Sequence, residues 1–256
     1  MLNIARYSNY MQHKMIVRQR LMTALATHLD EAPVTVLLGA RQVGKTTLAR
    51  MLTAGRNDVS WFDLETSSGF ESLRQIPEKV LSDKRGLVVI DEVQRMPELF
   101  RILRQLCDRP GRQASFLLLG SASPDVVRGV SESLAGRARF IHVAGLALED
   151  VGAQEQDRLW LRGAFPPAFL AASDAAAWRW LEGFVQSFLE RDIPQFGVRV
   201  GAVALRRFWT MSAHYHGQVL NATDLGRSLD VSPGTARHYL DILTGTYILR
   251  QLPPWF

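Results

Sequence analysis

The sequence is poor in cysteine and has no long apolar run. Cys107 is the single cysteine among 256 residues, which excludes an internal disulfide framework and a cysteine-rich metal cluster. No apolar run approaches the roughly 18 residues that a membrane-spanning helix needs. Residues 1–6 also lack the apolar core of a signal peptide. We therefore expect a cytoplasmic chain that does not enter a membrane.

The composition is that of a globular protein with an ample core. Hydrophobic residues make up 47% of the chain and charged residues 21%, and 256 residues suffice for one large domain or two smaller ones. The net charge of +5 is a modest basic excess. It permits nucleic-acid binding without establishing it, because such binding depends on how the charges cluster.

Residues 39–46 form a glycine-rich loop with the pattern G-x-x-x-x-G-K-T. An apolar run, typical of a buried parallel strand, precedes the loop, and a helical pattern follows it. In this context successive backbone N–H groups face one anion, Lys45 contacts the β- and γ-phosphates, and the Thr46 hydroxyl binds Mg²⁺. The predicted nucleotide-binding residues are Gly39, Ala40, Arg41, Gln42, Val43, Gly44, Lys45, Thr46 and Thr47.

Three further apolar runs, residues 58–65, 86–92 and 114–121, alternate with helical stretches. This alternation predicts an α/β fold with a parallel sheet and helices on both faces. Ligands in such sheets bind beyond the carboxyl ends of the strands. Asp91, Glu92 and Ser121 are all predicted at those ends, beside the glycine-rich loop.

These polar residues suit phosphoryl transfer. Asp91 is predicted to hold Mg²⁺, and Glu92 to orient or deprotonate a water that attacks the γ-phosphate. The adjacent acidic pair favours a hydrolase over a kinase, which must keep water out. Ser121 is predicted to sense the γ-phosphate or the attacking water.

An arginine downstream completes the predicted catalytic set. Arg137, with Arg139 as the second candidate, is expected to stabilise the charge that develops on the leaving phosphate. A neighbouring subunit often supplies this arginine. If that holds here, the active protein is a homo-oligomer.

Together these motifs resemble those of prokaryotic AAA+ ATPases in which a winged helix and a nuclease-like C-terminal domain follow the ATPase module. The resemblance rests on residues 39–47, 90–94, 120–123 and 132–137. It implies a P-loop NTPase core that binds ATP and Mg²⁺, with Lys45 and Thr46 in the loop, Asp91 and Glu92 in the second acidic motif, and Ser121 as the sensor. Because such proteins continue into a last domain, the sequence is expected to be a fragment.

The expected organisation has four parts. Trp178, Leu181, Val185 and Phe188 form an apolar stripe, interpreted as the core of a helical lid. The parts are an N-terminal helical leader at residues 1–30, the AAA+ P-loop core at 31–150, the helical lid at 151–200 and a winged-helix domain at 201–256. Residues 162–166 form either a segment that closes over the nucleotide or a plain turn.

Residues 221–243 predict a helix-turn-helix, with Ser232 and Pro233 beginning the second helix and residues 247–250 as a wing strand. The fixed charges there are Arg227 and Arg237 against Asp224, Asp230 and Asp241, so 2 − 3 = −1. Both DNA contact and packing against a partner remain open. Further basic candidates are the leader's Lys14, Arg18 and Arg20, and the group Arg95, Arg101, Arg104, Arg109 and Arg112.

The sequence therefore predicts a Mg²⁺-dependent ATPase whose nucleotide state moves the lid and winged helix, with DNA as a candidate partner. Two alternatives share the same motifs. One is a slow nucleotide-gated switch, and the other is a DNA-binding regulator in which ATP has a structural role.

Overall fold

The computed structural model describes residues 15–121, 129–130, 132–198 and 200–253. The chain divides into two compact units, Met1–Ala177 and Trp178–Phe256. Several residues named in the sequence predictions lie outside the described residues. These are residues 1–14 of the leader, including Lys14, and Ala122 and Ser123 beside the predicted sensor.

The first unit contains a five-stranded sheet in which every pairing is parallel. The strand order is β2-β3-β4-β1-β5. The strands are β1 Val34–Gly39, β2 Val59–Asp63, β3 Gly86–Asp91, β4 Ala114–Ser121 and β5 Ala138–Val143. This confirms the predicted mixed α/β fold with a parallel sheet and its first four strands. The order also places β4 between β1 and β3, so three carboxyl ends adjoin one another.

The central strands are almost continuously apolar because they are buried throughout. All six residues of β1 are buried, as are five of six in β3. The edge strand β5 was not predicted from the sequence. It mixes exposed Arg139 and His142 with buried Ile141 and Val143, so it lacks the apolar run that marks the inner strands.

Short helices connect the strands of the first unit. The predicted leader helix forms, begins at Gln19 and buries Leu25. The helices are α1 Gln19–Glu31, α2 Lys45–Thr53, α3 Ser67–Arg74, α4 Pro77–Ser82, α5 Leu99–Cys107, α6 Leu148–Val151, α7 Gln156–Arg162 and α8 Pro166–Phe169. No helix in the described part of the chain is long and apolar enough to cross a membrane.

The helix α9, Asp174–Ser187, begins in the first unit and continues in the second. Phe184 and Phe188 are buried on one side, and their rings stack at 5.9 Å. Trp178, predicted as core, is 64% exposed. The prediction is right for Phe188 and wrong for Trp178, because the buried side of the helix passes through Ala177, one residue earlier and about 100° around.

The second unit continues as α10 Ile193–Gln195, α11 Ala202–His214, α12 Ala222–Leu229 and α13 Pro233–Gly245. A π-helical turn, Phe188–Asp192, joins α9 to α10. The Asn221 side chain accepts hydrogen bonds from two N–H groups of α12, and the Ser232 hydroxyl accepts one from the N–H of Thr235 in α13. Asp230 is left-handed (φ 57°) between them, so the two helices and the turn expected for the helix-turn-helix are present.

The predicted wing strand at residues 247–250 does not form. The N–H groups of Ile248 and Leu249 both donate to the Leu243 carbonyl, and Tyr247 is left-handed with φ 63°. These bonds satisfy the end of α13, so the segment is its C-terminal capping turn.

Candidate functional site

The glycine-rich loop is shaped by two left-handed residues. Gln42 has φ 61° and Gly44 has φ 99°, and Gly44 caps the first turn of α2. Backbone turned in this way directs consecutive N–H groups into one concavity at a positive helix end. Gly39 is needed for close packing, because a Cβ there would lie 2.4 Å from the Val143 carbonyl oxygen of β5. The loop therefore has the form of an anion-binding cradle.

Lys45 is buried within this loop at 6% exposure. Its Nζ donates to the carbonyl oxygens of Gly39, at 3.1 Å, and Ala40, at 2.8 Å. Burial lowers the pKa of the Lys45 ammonium to about 8, although the nearby Glu92 and Asp91 carboxylates act in the opposite direction. A buried cation with only carbonyl partners is stabilised by any anion that enters the loop.

Thr46 and Asp91 connect the loop to the end of β3. The Thr46 hydroxyl donates to Asp91 Oδ2 at 2.8 Å, and Asp91 Oδ1 accepts from the N–H of Glu92 at 3.0 Å. Burial raises the pKa of Asp91 to about 6, with the Thr46 hydrogen bond opposing this shift. This hydroxyl and carboxylate are hard oxygen ligands of the kind Mg²⁺ takes alongside substrate phosphates and water. The described residues contain no cluster of three His, Cys, Asp or Glu side chains that could hold a metal alone.

Glu92 follows Asp91 in a left-handed conformation, with φ 56°. Such a conformation is uncommon for a residue with a Cβ and is often found where a side chain must be aimed. The Gln94 amide Nε2 donates to Glu92 Oε2. Gln94 Oε1 is buried and has no hydrogen-bond partner in the described part of the chain. Gln94, which the sequence analysis did not single out, therefore holds the predicted base.

Ser121 ends β4 and is paired in register with Gly39 of β1. It is 3% exposed, and its Oγ has no hydrogen-bond partner among the described residues. A buried hydroxyl without a partner is costly, so its presence at the phosphate edge calls for a ligand or water there. The strand order brings Ser121 between the loop and Asp91.

Arg41 also belongs to the loop. Its Nη2 donates to Glu65 Oε1 at 3.0 Å, and its side chain is 17% exposed. The loop thus carries a second cation near Lys45, bound by Glu65, two residues beyond the end of β2. The structure brings together the predicted loop residues, Asp91, Glu92 and Ser121.

Arg137 and Arg139 lie elsewhere. Arg137 directly precedes β5, and its carbonyl accepts from the N–H of Val34 at the amino end of β1. Six strand residues, roughly 20 Å at 3.3 Å each, separate it from the loop edge. Its guanidinium makes two bonds to Asp108, at 2.6 and 2.8 Å. Arg139 lies in β5 and pairs with Glu31 at 3.7 Å. Neither arginine reaches the site of its own chain.

An apolar cavity of about 300 Å³ adjoins the loop. This volume is within the range of small-molecule sites, roughly 300–1,000 Å³. It is lined by Met15, Ile16, Arg18, Val43, Gly44, Thr47, Leu48, Met51, Leu146, Pro166, Pro167 and Leu170. Residues 162–166 thus contribute Pro166 to a cavity wall. The sequence analysis missed the other walls, because no local motif connects Ile16, Leu146 and Leu170.

Comparisons with known proteins agree with this geometry. Residues 31–151 match the family model described as an AAA domain, and residues 153–256 match a domain of unknown function, DUF8612. The Walker-type ATPase PABY2304 of Pyrococcus abyssi shares the fold, with a TM-score of 0.65 and 14% sequence identity over 91% of this chain and 90% of that one. The parallel sheet and the glycine-rich loop thus lie in the part of the chain that matches the AAA-domain family model.

The individual relatives are two mycobacterial proteins. The uncharacterized proteins Mb2031c of Mycobacterium bovis and Rv2008c of Mycobacterium tuberculosis are each 50% identical to the chain over 244 residues. The match covers 94% of the chain and 54% of either relative. The chain thus spans about half the length of the curated relatives it matches.

Proposed function

We propose that the chain binds ATP with Mg²⁺ and hydrolyses it to ADP and phosphate. The observation that carries the proposal is the hydrogen bond between Thr46 and Asp91, beside the buried Lys45. It joins the phosphate loop to an acidic strand end, and Glu92 follows that acid directly. This combination is the arrangement that P-loop hydrolases require.

ATP binding uses the loop and the adjoining cavity. The loop N–H groups and the positive end of α2 receive the phosphates. Lys45 exchanges its carbonyl partners, Gly39 and Ala40, for phosphate oxygens. The apolar cavity beside Gly44 and Thr47 receives the base, which needs a flat apolar wall more than it needs charge.

Hydrolysis needs a water directed at the γ-phosphate. Glu92 accepts a proton as the water oxygen bonds to phosphorus, and the bond from phosphorus to the ADP oxygen breaks. Ser121 orients the γ-phosphate or the water through its hydroxyl. Mg²⁺, held by Thr46 and Asp91, neutralises charge on the phosphate oxygens when bound.

Arg137 acts on a neighbouring subunit in this proposal. It lies too far from its own loop, yet it is presented at the amino end of the sheet in an ion pair that a stronger anion can replace. A phosphate entering from another subunit is such an anion. The active form is therefore a homo-oligomer, with Arg137 as the arginine supplied in trans.

The test is the Glu92→Gln variant. We expect it to bind ATP with near wild-type affinity, measured by calorimetry, while turnover falls roughly 10²- to 10⁴-fold, the usual contribution of a general base. Glu98→Gln is the matched control, since Glu98 is an exposed carboxylate six positions on. Equal turnover in Glu92→Gln and wild type would remove Glu92 from the mechanism.

ATP turnover and DNA affinity distinguish two alternative functions from this one. A wild-type protein that binds ATP but hydrolyses no faster than Glu92→Gln is a nucleotide-gated switch. A DNA-binding regulator with a structural ATP site would instead keep its DNA affinity in a folded Lys45→Ala variant.

Coupling to the second unit, with DNA as a partner, is the finer part of the proposal. The helix-turn-helix supports it by shape, whereas its charge does not, because Arg227 pairs with Asp224 at 3.3 Å. Two members of the basic group at residues 95–112 already have partners within the chain. Arg95 donates to the Glu65 carbonyl, and Arg109 pairs with Glu78. Duplex binding that weakens steeply with salt and is lost on Arg237→Ala would support DNA contact.

A further inference from the structure

Arg18, which the sequence analysis counted among the basic candidates of the leader, is buried. Its residue exposure is 7%. The guanidinium donates through Nε to Asp150 Oδ2 at 3.0 Å, through Nη1 to the Ala144 carbonyl at 2.9 Å and through Nη2 to the Gly145 carbonyl at 2.8 Å. Three nitrogens of one fork thus bind three acceptors that lie more than 120 positions later in the chain.

The Arg18 acceptors belong to a segment that is fixed from both sides. Asp150 Oδ2 also accepts from the N–H of Ala147, which closes the turn before α6. On the other side, the N–H of Leu146 donates to the Ala164 carbonyl at 2.7 Å. A Cβ on Gly145 would lie 2.5 Å from the Ala164 Cβ, so the backbone segments around residues 145 and 164 are in close contact.

These connected segments are the walls of the cavity beside the phosphate loop. Met15 and Ile16 precede Arg18, Leu146 follows its carbonyl acceptors, and Pro166 follows Ala164; all four line the cavity. Arg18 lines it too. The opposite wall comes from α2 and the loop itself. Arg18 therefore links residues 15–16 to the segment that carries Leu146, two parts of the wall that α2 does not supply.

We propose that Arg18 is a positioning residue for the nucleotide base: with Asp150 it fixes the wall formed by residues 15–16 and 144–146, and so makes nucleotide affinity depend on the base. The inference rests on the proposed ATP binding, and it adds a residue that contacts no phosphate. It assigns the base, rather than nucleic acid, as the group that Arg18 serves.

The neighbouring ion pair shows why geometry, and not net charge, is the relevant property. Arg20 pairs with Glu149 at 3.5 Å, but these side chains are 82% and 55% exposed. Those of Arg18 and Asp150 are 8% and 5% exposed. Removing two charges from water offsets much of their attraction, so a buried pair contributes chiefly by fixing one arrangement. Arg20 and Glu149 thus form the same type of ion pair on the surface, and they serve as the control for the buried pair.

The experiment compares ATP with inorganic tripolyphosphate, which has the phosphates and no base. Dissociation constants of both, with Mg²⁺, are measured by calorimetry for wild type, Arg18→Met and Arg20→Met. For Arg18→Met we expect ATP affinity to fall about tenfold or more, the size of effect that supporting side chains have at metal sites. Tripolyphosphate affinity should change by less than about twofold, and Arg20→Met should change neither.

The contrary results are distinct from one another. An equal loss for both ligands, or no loss for either, overturns the positioning role. Wild type that binds tripolyphosphate as tightly as ATP shows that the cavity receives no base, which overturns this inference while leaving phosphate binding intact. Wild type that binds neither ligand overturns the proposed function itself.

Folding of the variant is controlled in two ways. Asp150→Asn keeps a side-chain oxygen for Ala147 but removes the charge opposite Arg18, and it should give the same ligand-selective loss. In wild type, amide hydrogen exchange of residues 144–150 should slow with MgATP and not with magnesium tripolyphosphate. Equal slowing by both ligands would contradict a base-specific wall.

Discussion

At the scale of single residues, the hydrogen bond from Gln94 to Glu92 carries the most consequence. Glu92 is held in a left-handed backbone conformation, and its carboxylate would otherwise be free to choose among several rotamers. Gln94 donates to one carboxylate oxygen and leaves the other for a water. The bond therefore orients the proposed base without neutralising it.

Gln94→Leu should accordingly lower turnover while leaving ATP binding unchanged. We expect kcat to fall about 10- to 100-fold, below the full contribution of a base, because Glu92 remains present but disordered. ATP affinity should stay within about twofold, since the hydrogen bond of Gln94 is to Glu92 and not to the phosphate loop. Gln113→Leu, at an exposed position, is the control. A rise in kcat would mean that Gln94 restrains Glu92 away from the water.

Cys107 gives a residue-level prediction about pH. Burial raises the pKa of its thiol to about 11 from 9.0, with Arg112 lowering it and Asp108 raising it to lesser degrees. Only the thiolate reacts with iodoacetamide, so a raised pKa means slower reaction at any pH below it. At pH 8 the native chain should react on the order of 100-fold more slowly than the unfolded chain. Comparable rates in the native and urea-unfolded chains would contradict the burial.

Whether the sequence predicts the placement of a site residue depends on whether the residues that fix it are near in the chain. Lys45, Thr46, Asp91 and Glu92 were predictable because each belongs to a short motif placed at a strand end. Arg18 was not, because its partner Asp150 is 132 positions away and no local pattern announces the pair.

At the scale of elements, the edge strand β5 restricts which residue can begin the glycine-rich loop. It was not predicted from the sequence because an edge strand needs only one apolar residue in two, and Arg139 was interpreted by its charge instead. Yet it pairs with β1 along its full length, and Val143 lies opposite Gly39. The last residue of β1 must therefore be glycine for β5 to close on it.

Gly39→Ala should destabilise the protein and weaken nucleotide binding together. The new Cβ would lie 2.4 Å from the Val143 carbonyl oxygen, a backbone atom that cannot move alone. We expect a loss of about 1–3 kcal/mol in the free energy of unfolding, typical of overpacking, together with weaker MgATP affinity. Thermal and urea unfolding measure the first effect and calorimetry the second.

Gly183→Ala is the matched control for this substitution. Gly183 lies within α9, and a Cβ there meets no atom within 4 Å. Alanine is the better helix former, so this variant should gain up to about 1 kcal/mol. Two glycines changed to the same residue should thus shift stability in opposite directions. A neutral Gly39→Ala would show that β5 yields at this point.

At the scale of the whole molecule, the chain matches two family models in succession, an AAA domain over residues 31–151 and a domain of unknown function over residues 153–256. The helix-turn-helix was predictable from its caps, whereas the wing strand was not, because capping bonds to Leu243 and Thr244 take the residues that would have formed it. The first four strands were predicted correctly because a buried parallel strand has few competing local structures.

The separation of Arg137 from its own loop leads to a prediction about assemblies. If the arginine acts in trans, Lys45→Ala and Arg137→Ala are each inactive alone, but a mixture regains activity where an Arg137→Ala site meets an intact Arg137 of the other variant. Random equimolar mixing makes about one interface in four of this kind in a closed, head-to-tail ring. The mixture should therefore recover about a quarter of wild-type specific activity.

Arg139→Ala serves as the control, since Arg139 is exposed, pairs with Glu31 at 3.7 Å and should retain full activity alone. Wild-type specific activity should also rise with protein concentration until the assembly saturates. An inactive mixture would contradict action of Arg137 in trans, and an Arg137→Ala protein that stays active at high dilution would assign hydrolysis to the single chain. In that case the Arg137–Asp108 pair is a surface contact of a kind that contributes at most about 1 kcal/mol, and the missing positive charge must come from within the site. Arg41, already in the loop and held by Glu65, is then the side chain to replace next.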